Sequence, residues 1–314
     1  MQNAKLTEEQ EASRISQAAQ KAAVLEVMSS KPGNVTPEQS FKDTAYTDFL
    51  AGAGAMGAEV KSCAMNGIRL GKLDKSMPKY AEIGSGIKRA ASDVKRSHKG
   101  GNTHLGMITL FVPLATAYGM SFSNGRGVKE NLADLIANTT AKDAVDFYDA
   151  VNIAGAGGLG NCELDVRGEE SKREILDKGI TFLKIMEISA GSDDVAKEIV
   201  ANFDGVFRFA QRLAAISGET KTTTDAVMQL YLTILAERPD TLIAKKRGMQ
   251  KAEEVSVEAR KVIGAGGVGT AHGRKKIAEL DAMLRSENNE LNPGTTADIT
   301  AAAIMVAILE GLEV

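Results

Sequence analysis

Leu291-Asn-Pro-Gly-Thr-Thr-Ala-Asp-Ile-Thr-Ala-Ala-Ala-Ile-Met-Val-Ala-Ile-Leu-Glu-Gly-Leu312 is the stretch whose reading decides the fold class. Past its opening turn, apolar residues occupy every side of a 3.6-residue period instead of one stripe, the mark of a helix buried all round. Asp298 falls in the first turn of that helix, where a carboxylate is costly unless it meets a cation, a hydroxyl or a metal. Further back, residues 51–64 are dominated by small side chains. Ala-Gly-Ala-Gly-Ala is a poor isolated helix, but it lets a neighbouring helix approach closely, within one chain or across a homodimer. Helical spacing also runs through 6–29, 79–95, 104–118, 128–137, 142–154, 172–189, 195–216, 224–237, 250–263 and 271–287. Gly and Pro fall between these segments and strand-like alternation is nearly absent. The expectation is an all-α, compact multi-helix globule of roughly a dozen helices with glycine-rich connecting loops. No linker rich in Pro, Ser or charge divides the chain, so residues 1–314 read as a single helical domain or two interlocked lobes.

The formal net charge is -3, which gives no global positive field for nucleic acid. An anionic ligand must instead be met by a local cluster of Lys, Arg and backbone N–H groups. Aromatic residues make up 4% of the chain and Trp is absent, too little for the stacking platforms that hold single strands. Both observations favour a small ligand. Cys63 and Cys162 form no CxxC pair and read as reduced thiols. The opening MQNAKLTEEQEASRISQ is polar and carries acids, unlike a secretory or transit segment. The longest apolar run, near 301–309, is about half of what a membrane span requires. A cytoplasmic setting is expected.

Gly155-Ala-Gly-Gly-Leu-Gly160 is echoed by Gly264-Ala-Gly-Gly-Val-Gly269. Both satisfy GxGxxG, but a dinucleotide site needs a strand before the glycines, and the preceding VDFYDAVNIA and EVSVEARKV read as helices. Two readings stay open: helix ends closed by left-handed glycines, and glycine-lined backbone beside a phosphate.

Four polar segments place charged or amide side chains at helix boundaries, where free N–H groups attract anions. They are Glu26 with Lys31-Pro-Gly-Asn34, Gly101-Asn-Thr-His104-Leu-Gly106, Asp240-Thr-Leu-Ile-Ala-Lys-Lys-Arg-Gly248, and Asn292-Pro-Gly-Thr-Thr-Ala-Asp298. Each has a plainer account: Lys31 as a solvated lysine, Asn34 as a turn residue, Thr103 as an N-cap, Asp298 as a first-turn acid. His104 opens an almost wholly apolar run from Leu105 to Ala117, so it is a candidate ligand contact or proton donor, with a capping histidine as the alternative. His98 lies in a basic run that reads as solvated surface. No HExxH or compact His/Cys set points to zinc.

Taken in order, these segments resemble the motifs of the triphosphoribosyl-dephospho-CoA synthase family over about residues 20–312. The family's lysine-proline-glycine motif, with a glutamate shortly before it, is similar to Glu26 and Lys31-Pro32-Gly33, followed by Asn34-Val35. Its asparagine-threonine-histidine stretch is similar to Asn102-Thr103-His104, and its proline-glycine-glycine-leucine-glycine to Ala156-Gly157-Gly158-Leu159-Gly160. Its aspartate-threonine element with a following basic residue resembles Asp240-Thr241 with Lys246 or Arg247, and its terminal motif resembles Asn292 to Asp298. There are departures. Leu105 stands where a lysine is usual, Leu242 stands for an asparagine, and Asn292, Thr295 and Thr296 alter the terminal loop.

The resemblance implies a transferase moving the triphosphoribosyl group of ATP to a ribose hydroxyl of dephospho-CoA, with release of adenine and with Mg²⁺ accompanying the nucleotide. It implies phosphate contacts from Lys31 and from Lys246 or Arg247. Gly33, Asn34, Asn102, Thr103 and Gly294 become hydrogen-bonding or close-approach positions. Asp240 and Asp298 bind Mg²⁺ or activate the hydroxyl, and His104 protonates the base or holds phosphate. A centre with oxocarbenium character asks for such a set of cations, carboxylate and acid. The departures keep two other readings open: a related phosphoribosyl-type transferase in another cofactor pathway, such as methanopterin-type pterin assembly, and a non-catalytic nucleotide-binding protein.

Overall fold

The computed structural model describes residues 6–73, 81–155, 169–286 and 290–314, and all regular structure among them is helical. The first half holds α1 (Glu8–Met28), α2 (Tyr46–Ala55), α3 (Gly57–Gly71), α4 (Ile83–Ser97), α5 (Leu105–Asn124), α6 (Val128–Ala137) and α7 (Ala141–Ala154). Next come α8 (Glu169–Asp177), α9 (Phe182–Ser189), α10 (Asp194–Val200), α11 (Asp204–Ser217) and α12 (Thr223–Glu237). The chain ends with α13 (Thr241–Arg247), α14 (Met249–Gly264), α15 (Ala271–Arg285) and α16 (Gly294–Leu309). Many starts are fixed locally. Thr7, Thr140, Thr181, Thr222 and Thr270 each accept an N–H from the first turn of the helix that follows, filling one of the donors a helix leaves unpaired.

The apolar helix of residues 294–309 is the axis of the packing. Residues 301 to 306 of α16 are fully buried, and the helix touches α1, α5, α10, α11, α12 and α13. The other such helix is α5. By length and composition it could cross a membrane, so it is a longer apolar element than the 301–309 run, yet Met107 to Met120 are buried against α1, α3, α4, α6 and α16. Apolar side chains gather in a large cluster about these two helices and a smaller one built on α12, α14 and α15. The helix α12 supplies both, with Leu230 and Ile234 facing one and Tyr231, Leu232 and Leu235 the other.

The small-residue stretch is broken at Met56 into α2 and α3; of its glycines, Gly52 lies against His104 and Gly57 against Gln20, while Gly54 faces open space, and the closest helix approach comes further along α3, against α5. A Cβ at Gly67 would stand 2.0 Å from the Thr116 carbonyl oxygen, and one at Gly119 2.2 Å from that of Ala64. Backbone cannot yield as a side-chain tip can. Gly119→Ala is therefore expected to push α3 and α5 apart at a cost of about 1–3 kcal/mol. Urea unfolding reads this directly, and an unchanged midpoint would mean the two helices tolerate the methyl.

Two segments with continuous helical spacing are interrupted. Residues 172–189 divide at Gly179, left-handed with φ 62°, and residues 195–216 at Asn202 and Phe203, with φ 50° and 61°. Non-glycine residues rarely take that conformation, so nothing in the composition marks the second break. The helix α13 was concealed inside a polar motif. Of the glycine echoes, Gly155 closes α7 with φ 64°, and Gly266, φ 97°, follows the end of α14. Neither follows a strand. Residues 156–160 of the first echo, and Cys162, lie outside the described residues.

Candidate functional site

A cavity of about 670 Å³, of a size that suits a small organic ligand, gathers residues from all four polar segments. Its polar wall carries Glu26, Asn34, Asn102, Thr103, Gly294 and Asp298. Its apolar lining includes Phe147 and Val151 of α7, Met186 of α9, and Val195 and Ala196 of α10. Lys42, Lys245 and Lys246 also line it.

The loop after α1 is built as a rigid corner. Lys31 is fully buried and does not reach the cavity. Its ammonium lies 3.0 Å from Glu26 Oε1 and donates to the carbonyl oxygens of Glu26 and of Ser29, the latter at 3.0 Å. Burial pushes the Glu26 carboxyl up and the Lys31 ammonium down, and the charge of each partner opposes this. Gly33, with φ 75°, has no room for a side chain, since a Cβ would meet Leu284 at 2.8 Å. Its N–H donates to Asp281 Oδ1 at 2.8 Å. Asn34 Nδ2 donates to the Tyr231 hydroxyl (2.8 Å), which donates to the Pro32 carbonyl (2.9 Å). Asn292 Nδ2 donates to Gly33 O at 3.0 Å and Asn34 Oδ1 at 3.1 Å, while Arg285 holds Asn34 O at 2.6 Å. Asn34 is thus presented to the cavity by α12, α15 and the segment before α16.

At the mouth of α5, Asn102 Oδ1 accepts the Leu105 N–H at 3.2 Å, so Asn102 and not Thr103 makes the capping bond. Thr103 Oγ1 lies 2.6 Å from His104 Nδ1 and 3.1 Å from His98 Nε2. His104 itself is 1% exposed, set against Phe49 and over Gly52, and lies outside the cavity wall. Its Nε2 has no hydrogen-bond partner, and burial pushes its pKa down to about 3. A neutral imidazole in that position can orient Thr103, but it holds no imidazolium proton to give a departing base.

The two aspartates part company. Asp240 caps α13: Oδ1 accepts from the N–H groups of Leu242 (2.9 Å) and Ile243 (3.1 Å), and Oδ2 from the Thr296 N–H (2.7 Å) and hydroxyl (2.8 Å). Four donors saturate the lone pairs of one carboxylate, and Asp240 is 1% exposed behind the wall. It joins α13 to the start of α16 and has no lone pair left for a metal, which corrects the expectation drawn from the sequence. Asp298 lies in the wall. Its carboxylate rests on Gly106, where a Cβ would come within 2.0 Å of Oδ2, and it accepts from the Met107 backbone N–H. Burial, then the charges of Glu26, Asp193 and Asp240, hold its pKa well above the ordinary range. No ion pair neutralises it among the described residues.

Lys246 is exposed on the cavity rim, whereas Lys245 pairs with Asp193 at 2.6 Å. Arg247 lies outside the wall, 2.7 Å from Glu290. Among the described residues no group of three or more His, Cys, Asp or Glu could hold a metal ion.

A family model described as ATP:dephospho-CoA triphosphoribosyl transferase matches residues 12–314. The chain belongs to this family. Provisionally named 2-(5''-triphosphoribosyl)-3'-dephosphocoenzyme-A synthases are similar over shorter stretches. One from Pseudomonas syringae pv. tomato is 31% identical over 100 residues, 32% of this chain and 31% of that protein. One from Pseudomonas fluorescens is 31% identical over 106 residues, 34% of each. The matched part thus spans about a third of these curated relatives. The crystal structure of an Archaeoglobus fulgidus protein provisionally named triphosphoribosyl-dephospho-CoA synthase superposes with a TM-score of 0.62 at 25% identity, covering 84% of this chain and all of that one.

For a member of the ATP:dephospho-CoA triphosphoribosyl transferase family, the cavity brings together Asn34, Asn102, Thr103, Lys246, Gly294 and Asp298. Lys31, Gly33, His104 and Asp240 form a layer behind it, and Arg247 stands apart. Sequence reasoning had no means of finding the apolar wall, because Phe147 and Met186 look like any core residue at helical spacing. Tyr231, which fixes Asn34, is likewise hidden in an apolar helix.

Proposed function

We propose that this chain transfers the triphosphoribosyl group of ATP to a ribose hydroxyl of dephospho-CoA, releasing adenine, in the cytoplasm. Membership of the family over residues 12–314 supports the reaction class. The single observation that carries the site is the Asp298 carboxyl, raised in pKa and without a cation, in one wall with Asn34, Asn102 and Gly294. In the reaction, the bond from the anomeric carbon to the adenine nitrogen breaks and a bond to the acceptor oxygen forms. One proton moves from the hydroxyl to adenine. A carboxyl whose pKa burial raises can hand a proton to the leaving base, stand as an anion beside the oxocarbenium-like sugar, and recover a proton from the attacking hydroxyl. Of the two roles expected of Asp298, this places proton transfer ahead of metal binding. Asn34 and Asn102 offer hydrogen bonds to the sugar, and the wall of Phe147 and Met186 suits a base or an alkyl arm.

Mg²⁺ is usually held by one or two carboxylates plus phosphate oxygens. Asp43, exposed on the cavity and touched by the Thr44 hydroxyl at 3.3 Å, keeps free lone pairs for it, as Asp240 does not. Bound there with the nucleotide, the ion would neutralise phosphate charge. The test is direct. Purified protein with ATP, Mg²⁺ and dephospho-CoA is expected to yield free adenine and an acceptor heavier by a triphosphoribosyl group in mass spectrometry. Nucleotide binding with no adenine from any donor would sink the transferase reading.

A further inference from the structure

We infer that the turn from Phe41 to Thr44 is the polyphosphate subsite of this cavity, with Lys42 as its cation. Nothing in the motifs points to Lys42; of the basic residues they offer, Lys31 is sealed away with Glu26, Arg247 lies outside the wall beside Glu290, and Lys246 lines the rim. The cavity is graded in charge. Glu26, Lys31's partner, is 2% exposed, and Asp298 lines the cavity without a counter-ion, so a chain of phosphates beside them would meet amides and a hydroxyl but no free cation. Three lysines, Lys42, Lys245 and Lys246, line the cavity as well, against the two carboxylates Asp43 and Asp193. Lys245 is committed to Asp193, which leaves Lys42 and Lys246, both exposed and without a partner among the described residues. A nucleoside triphosphate therefore enters sugar first, with its phosphates at the rim.

A solvated lysine on a free loop would not make a subsite, but the backbone of this one is fixed. The Phe41 N–H donates to the Thr44 carbonyl at 2.9 Å, and the Gly101 N–H donates to the Asp43 carbonyl at 3.2 Å. The second bond ties the turn to the loop that carries Asn102 and Thr103. The turn is also closed on both sides. Thr36 and Gln39 exchange backbone hydrogen bonds at 2.9 and 3.2 Å, and the Ala45 N–H donates to Asp48 at 2.8 Å. Lys72 pairs with Glu8 and Lys129 with Asp204; Lys42, like Lys21, Lys95 and Lys99, has no such partner among the described residues, but of these four only Lys42 lines the cavity. Lys42 is held at the edge of a cavity with its charge unspent.

The inference rests on the transferase reading for the identity of its ligand, and inorganic triphosphate separates the two. Calorimetry on the full chain would compare inorganic triphosphate, ATP and adenosine across the wild type, Lys42→Ala and Lys42→Arg. Lys42→Ala is expected to weaken triphosphate and ATP by about tenfold, more at low salt than at high, with adenosine unchanged and with Lys42→Arg close to the wild type. Equal weakening of adenosine would show a merely structural role. No binding of triphosphate by the wild type, or equal binding by Lys42→Ala, would overturn the subsite. If Lys42-dependent binding of triphosphate is found but ATP releases no adenine, the subsite stands and the transferase reading falls. Adenine release with an unchanged KM for ATP in Lys42→Ala gives the reverse.

Discussion

Lys31→Met is expected to lower the unfolding free energy by about 3–5 kcal/mol, the usual penalty for leaving one member of a buried ion pair alone. Methionine fills much of the same volume, so the loss reports charge and not a cavity. Glu26 is 2% exposed, and without the ammonium at 3.0 Å it must either ionise unpaired or take up a proton. The carbonyl oxygens of Glu26 and Ser29 also lose their donor. Because the fault lies with the orphaned partner, the double change Glu26→Gln with Lys31→Met should recover most of the stability. Urea denaturation of the two variants decides the matter. A single variant within about 1 kcal/mol of the wild type would mean that Glu26 finds water through the cavity.

Asp298→Asn is expected to separate function from stability. As the proposed proton carrier, Asp298 should cost turnover about 10²–10⁴-fold when made an amide, with little change in KM for ATP. The fold should gain. The raised pKa means that the unfolded chain gives up this proton at lower pH than the folded chain does. Between the ordinary aspartate range and the raised value the folded state binds more protons, so wild-type stability falls as pH rises through that interval. Asparagine removes the term. A thermal-unfolding series from acid to mildly alkaline pH should show the variant's advantage growing with pH, and a constant offset would show that Asp298 ionises as freely as a surface carboxylate.

The architecture was legible where one pattern dominated. The helix α16 needs no partner in the sequence to show that it is buried, and the same holds for α5. Breaks were visible where glycine or proline made them and invisible at Asn202 and Phe203, whose left-handed backbone is imposed by tertiary packing. At the site, the motifs located the region but not the side each residue presents. Lys31 and Lys246 look alike in a sequence, yet one neutralises Glu26 inside the protein and the other stands on the cavity rim. Asp240 and Asp298 look alike too, and only the four donors around the first distinguish them. A sequence shows charge, not the partner that consumes it.

The carboxylate of Asp240 touches α13, which carries Lys246, and α16, which carries Asp298. Asp240 Oδ2 accepts twice from Thr296 and Thr241 Oγ1 donates to Thr295, so three bonds hold the helix of the outer lysine to the helix of the inner acid. The inner acid and the outer lysine thus belong to one frame, whatever ligand lies between them.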